Sequence, residues 1–228
     1  MKTKKLLILL VIILFATPFS FAQYSGRQFI KEKISEQGGC RNVAITKTNG
    51  DLMLNGRNYW AASHCPSGLT EALDELASDG EYIDDVQLTE NGSWLILYGN
   101  NGLQWSNIPY DLEQKLREYN RKEEVITSVS FNDDGDWIVV TKNYVAASSD
   151  AFTEWLSDGM EEYGELWTTC ITDDALVAVF QNGYKFLGDV PSSLKDKLRA
   201  TNMNVYRLKI AGTSWFFSDG KSNYSYNM

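Results

Sequence analysis

The sequence predicts an α+β repeat protein of five units, each one helix followed by a three-stranded antiparallel meander. Three observations carry this. A block of alternating apolar residues, a glycine and a large apolar residue recurs at a constant step. VQLTENGSWLILYGNNGLQW (86–105) and VSFNDDGDWIVVTKNYVAAS (129–148) align Val86 with Val129, Leu88 with Phe131, Gly92 with Gly135 and Trp94 with Trp137, each 43 positions apart. An apolar stripe of helical period precedes each block, and an Asn/Gly turn splits its second half. Self-similarity at a fixed period is the mark of a repeat architecture, because one such unit cannot bury its own faces.

The elements follow in chain order. RQFIKEKISEQGG places Ile30 and Ile34 inward and ends on Gly38-Gly39, a helix C-cap. VAITKTNGDLMLNGRNYWAAS (43–63) is the first β block, with Gly50 at the glycine and Leu52 at the tryptophan position. PSGLTEALDELA carries Leu69, Leu73 and Leu76, and PYDLEQKLREYN carries Leu112, Leu116 and Tyr119, at helical spacing. The fourth helix offers Phe152, Leu156 and Met160, with Ser149 or Asp150 as N-cap. The fifth offers Leu194 and Leu198. Pro66, Pro109 and Pro191 are expected at first helical positions, where the missing N–H costs nothing. CITDDALVAVFQNGYKF (170–186) has lost the first glycine and carries Leu176 for tryptophan, whereas LKIAGTSWFFSDGKSNYSY (208–226) restores Gly212 and Trp215. Within each block the first turn wants glycine at positive φ, and the Asn/Gly turn is a strong hairpin signal.

Residues 1–22 read as a signal peptide. Lys2, Lys4 and Lys5 precede the apolar run Leu6 to Phe15, Pro18 breaks it, and Ser20-Phe21-Ala22 is a small-residue cleavage site. The remainder, 23–228, reads as a single repeat domain with units at about 23–64, 65–106, 107–148, 149–189 and 190–228. The expected location is export, periplasmic or extracellular, with no membrane span after cleavage. The net charge of −9 becomes more acidic once the lysine-bearing leader is removed. That argues against nucleic acid and anionic lipid as partners.

Two arrangements satisfy the repeat: a closed propeller-like ring, in which a helix replaces the outermost strand, or an open α/β solenoid. Closure removes exposed sheet edges. An open array wants polar caps, and the last unit stays apolar to Tyr224 and Tyr226.

The stretches TENGSWLILYGNNGLQWSNIP (89–109) and FNDDGDWIVV (131–140) resemble tandem repeats of about 41 residues found in uncharacterised exported bacterial proteins. More loosely the unit resembles the WD40 class of β-propellers. It departs from that class in lacking a Gly-His pair, in the inverted order Asp136-Trp137, and in its helix. The resemblance implies a repeat scaffold used for binding and carries no catalytic residue.

Candidate chemistry is sparse. His64, the single histidine, adjoins Cys65, but neighbours on a strand face opposite ways. Asp133, Asp134 and Asp136 could offer oxygens to calcium, although Asp and Asn also favour such turns for their own backbone bonds. Cys40 and Cys65 flank the first block, and an exported protein permits a disulfide between them. A meander, however, puts their positions at opposite ends and two strands apart, and a bridge needs Cα atoms within about 7 Å. Trp94, Trp137 and Trp215 suit the core. The third-strand aromatics Trp60, Trp105, Tyr184, Phe186, Tyr224 and Tyr226 either pack under the helices or bind ligand, since aromatics bury large area at low entropy cost. No cofactor motif is present. The expectation is an exported, non-catalytic binding module presenting aromatic and acidic loops to a protein or glycan. The alternative is an exported hydrolase using the turn carboxylates.

Overall fold

The computed structural model describes residues 25–48 and 50–228, so the expected leader lies outside the described residues. The element order repeats five times. The first unit is α1 (Gly26–Gln37), β1 (Asn42–Ile45), β2 (Asp51–Asn55) and β3 (Tyr59–Ser63). The second is α2 (Ser67–Ser78), β4 (Ile83–Leu88), β5 (Trp94–Tyr98) and β6 (Gly102–Ser106). The third is α3 (Tyr110–Arg121), β7 (Ile126–Phe131), β8 (Trp137–Thr141) and β9 (Val145–Ala147). The fourth is α4 (Asp150–Tyr163), β10 (Leu166–Ile171), β11 (Ala175–Phe180) and β12 (Gly183–Gly188). The fifth is α5 (Ser192–Ala200), β13 (Arg207–Ala211), β14 (Ser214–Ser218) and β15 (Tyr224–Asn227). Each unit holds its own three-stranded antiparallel sheet in sequence order.

Local chemistry explains the ends. Gly38 adopts φ 64° and its N–H closes α1 on Ile34 and Ser35 carbonyls. Ser149 caps α4, its side chain accepting from the Phe152 N–H. Pro66, Pro109 and Pro191 stand one position earlier than expected, as N-caps with extended ψ. There the proline carbonyl accepts the first helical bonds, as from Leu69 and Thr70 to Pro66. In the second and third units the first turn closes between Thr89 and Ser93, and between Asn132 and Asp136. Gly92 (φ 81°) and Gly135 (φ 90°) take the left-handed position that such a three-residue loop requires.

The core lies between units. Leu69, Leu73 and Leu76 of α2 pack with Leu52 and Leu54 of the first sheet and Val86, Trp94 and Ile96 of the second. The same construction recurs at the second–third, third–fourth and fourth–fifth junctions. A fifth cluster joins the chain's ends: Ala211 and Phe216 of the last unit pack with Ile30 and Ile34 of α1 and Val43, Ile45 and Met53 of the first sheet. The first strands also approach one another, β1 lying against β4 and β13, and β10 against β7 and β13. Trp94, Trp137 and Trp215 are buried, as their recurrence suggests.

Cys40, Cys65 and Cys170 are free thiols, so the Cys40–Cys65 bridge considered from the sequence is not formed. The two cysteines face different junctions, Cys40 the fifth–first and Cys65 the first–second, on opposite sides of one sheet. Among the described residues, no helix is long and apolar enough to cross a membrane.

Candidate functional site

Between the first strands runs a buried polar network. Asp85 (2 % exposed) accepts hydrogen bonds from Asn42 at 2.6 Å, from Gln87 at 2.8 Å and from Lys209 at 2.8 Å. Burial alone would favour its neutral form, yet the charges of Lys209 and Arg207 hold the carboxyl below the usual carboxylate range. Arg41 spends its guanidinium on backbone carbonyls, Gly56 at 2.8 Å, Asp84 at 2.9 Å and Ile83, while lying 4.5 Å over the Tyr82 ring. Arg207 bonds Asp84 at 2.6 Å and the Tyr206 carbonyl at 2.7 Å. Ser128–Thr168 and Ser130–Thr169 hydroxyl pairs link the third and fourth units.

This network floors a cavity of about 670 Å³ at the end of the molecule where the second turns and helix C-termini meet. Three β-bulges build its wall. The register of β4 against β5 skips between Ile83 and Asp85, β7 against β8 between Ile126 and Ser128, and β10 against β11 between Leu166 and Thr168. Each bulge sets one residue aside: Asp84, Thr127 and Trp167. All three line the cavity. A bulge re-aims a side chain at the end of a strand, and three homologous bulges converge here.

Aromatic faces and planar polar groups share the cavity. The Trp167 and Tyr206 rings meet with centroids 4.9 Å apart and planes 39° apart, and Tyr82, just before β4, also lines the cavity. Among the described residues, the polar tips of these three make no hydrogen bond. The rim comes from the Asn/Gly turns. Asn101 (φ 70°) donates to Asn120 at 3.0 Å and to the Glu124 carbonyl at 2.8 Å, and accepts from the Ile126 N–H at 2.8 Å. Asp219 accepts from the N–H groups of Lys221, Ser222 and Asn223, fixing the fifth unit's turn.

The opposite end is laced shut. Thr48 donates to Glu90 at 3.0 Å, Asn91 N–H to Asp133 at 3.1 Å, and Asn132 to the Thr172 carbonyl at 3.3 Å. Lys47 then reaches Asp174 at 2.6 Å across the short fifth-unit turn. A cavity of about 50 Å³ remains beneath these turns.

The residues singled out from the sequence are dispersed. Trp60 packs at the first–second junction. Trp105 packs at the second–third, with Arg117 5.0 Å over its ring. Tyr184 and Phe186 pack at the fourth–fifth, Phe186 beneath Lys195 and Arg199. Tyr224 packs at the fifth–first and stacks on Tyr226, itself 38 % exposed. All but Tyr226 thus pack into separate junctions between units, and they do not share a surface. Asp133 serves Asn91, Asp136 accepts from Ser148 at 3.1 Å, and Asp134 is exposed. Among the described residues, no group of three His, Cys, Asp or Glu side chains is placed to hold a metal. His64 is exposed against Ser63, and Cys65 turns to the Asp51 carbonyl. Tyr82, Trp167, Tyr206 and the Asp84–Arg207 pair were not singled out by the repeat. Asp84, Trp167 and Arg207 stand in first strands as charged or aromatic residues where the alternation calls for apolar ones, and Tyr82 and Tyr206 directly precede β4 and β13.

The fold and cavity define a class: a five-unit α+β repeat protein with a polar, aromatic-walled cleft assembled from four units. No family model matches the chain, and no curated protein matches it.

Proposed function

We propose that this chain is an exported, non-catalytic binding module. Its five units close into a propeller-like ring, and the ring's second-turn end takes the ligand. The observation that carries this reading is the cavity of about 670 Å³ walled by Tyr82, Trp167 and Tyr206. Its size falls within the range of ligand sites, and its mixture of aromatic faces with a few placed polar groups is their usual lining. Closure is supported by the cluster that joins the last unit to α1 and by the pairing of Lys209 with Asp85 and of Ser218 with the Arg41 carbonyl. Export is supported by the lysines and apolar run of residues 1–22.

A hydrolase would need carboxylates facing one another across substrate. The first-turn acids instead serve neighbouring turns, as Asp133 does for Asn91 and Asp174 for Lys47. The test is to express residues 23–228 and screen them against arrays of oligosaccharides and of immobilised peptides. A saturable ligand recovered unchanged is the expected result. Absence of any saturable ligand, or turnover of the bound ligand, would overturn the reading.

A further inference from the structure

We infer that the ligand of this cavity is a short neutral oligosaccharide, stacked on Trp167 and Tyr206. The inference rests on the binding reading above and names its ligand class.

The chemistry of the lining selects it. A pyranose offers one patch of C–H groups and an equatorial fringe of hydroxyls. The first suits an aromatic face, and the second suits planar side chains that donate and accept together. The cavity supplies both. Trp167 and Tyr206 form a tilted pair at 4.9 Å, held in place because Trp167 sits on a bulge and packs on the fourth–fifth core. Tyr206 is 37 % exposed, a large apolar surface left open to solvent beside it. Around them, Asn100 and Asn120 stand exposed at the rim.

The charges select a neutral ligand. Arg207 is paired with Asp84 at 2.6 Å, and Asp219 is saturated by three backbone N–H groups and the Asn223 amide. Glu123 and Lys221 remain, of opposite sign. An anionic ligand would meet Arg207 already neutralised by Asp84, with its one unbonded donor, Nε, buried, while Arg41 beneath is committed to three carbonyls. A cationic ligand would find Asp84 and Asp219 already engaged, and among the described residues no group of three His, Cys, Asp or Glu side chains is placed to hold a metal ion. The Asp84–Arg207 pair is a fixed polar floor, and such a pair can accept and donate to adjacent hydroxyls of one sugar.

The experiment is a titration of residues 23–228 with cello-, xylo-, malto- and chito-oligosaccharides and with acidic oligogalacturonides, read by tryptophan fluorescence and calorimetry. Neutral oligosaccharides should bind saturably. Tyr206→Ala, at an exposed position, should weaken that binding about tenfold. Trp167→Phe should keep most of the affinity while removing the fluorescence response. Asp134→Asn, at the opposite end, should leave affinity unchanged, and cooperative unfolding of each variant verifies its fold. Preference for the acidic series, or neutral-sugar binding indifferent to Tyr206→Ala, would overturn the inference. A peptide ligand without any sugar ligand would overturn it while leaving the binding module standing. Failure of every array probe would remove both.

Discussion

Lys209 Nζ lies 2.8 Å from Asp85 Oδ1, a pair joining the fifth unit to the second with side chains 7 % and 3 % exposed. Asn42 donates to the same oxygen and Gln87 to the other, Oδ2. Taking one partner from a buried pair strands the other charge, which costs about 3–5 kcal/mol. Lys209→Met should therefore destabilise by about 3 kcal/mol or more in urea unfolding. Replacing both residues, Lys209→Met with Asp85→Leu, should recover most of that loss. A Lys209→Met penalty below about 1 kcal/mol would mean that the pair is hydrated.

The same carboxylate sets an acid limit. Because Lys209 and Arg207 hold the Asp85 carboxyl below its ordinary value, the native state binds fewer protons there than the unfolded chain. Its contribution is fully present above the unfolded value of about 3.9, and is lost as pH falls through the lower native value. Stability should fall steeply below about pH 4, and Asp85→Asn should flatten that limb while lowering stability at neutral pH. Equal slopes for wild type and Asp85→Asn between pH 5 and 2 would contradict the assignment.

Most of the fold was legible, because its signals are local. Leu112, Leu116 and Tyr119 repeat at helical spacing and are the buried residues of α3. Gly38 and Ser149 cap the helices that their positions suggested. The cavity was not legible, for two physical reasons. Asp84, Thr127 and Trp167 reach it through bulges, and a period-two reading has no place for an extra residue. The Asn/Gly turns also had a sufficient backbone reason to exist. Asn101 shows that one residue does both: it adopts φ 70° for the turn and fastens the rim to α3 through Asn120.

The thiols should be inert in the native state. Burial pushes Cys40 and Cys65 up to about 12 and Cys170 up to about 11. The thiolate is the nucleophile, so at pH 8 almost none is present. Iodoacetamide at that pH should leave the native mass unchanged and add three labels after unfolding, with no dependence on prior reduction. Rapid labelling of Cys65 in the folded protein would show its junction to be open.

Gly159 in the middle of α4 is there for space. Alanine in a helix interior normally gains about 1 kcal/mol over glycine. Here a Cβ would stand 2.3 Å from Phe180 Cζ and 2.8 Å from Lys185 Cδ, and Phe180 is buried in the third–fourth core. Overpacking of that kind costs about 1–3 kcal/mol, which outweighs the propensity gain. Gly159→Ala should lower the urea midpoint, whereas Gly68→Ala in α2, whose Cβ would meet Trp94 at an ordinary 3.9 Å, should not. A midpoint raised by Gly159→Ala would show that Phe180 can move aside.

Closure itself has a thermodynamic signature. In an open array the loss of a terminal unit removes one neighbour interface, and the remainder unfolds cooperatively at reduced stability. If the units close on themselves, removing residues 190–228 removes two. Ala175, Val177 and Val179 of the fourth sheet lose α5 and β14, and Val43, Ile45 and Met53 of the first lose Ala211 and Phe216. Asp85 would also lose Lys209, and the Arg41 carbonyl its bond from Ser218. The truncated chain should therefore show no cooperative urea transition and should bind a hydrophobic dye strongly. A truncated protein that keeps a sharp transition at a modestly lower midpoint would place the chain among open solenoids.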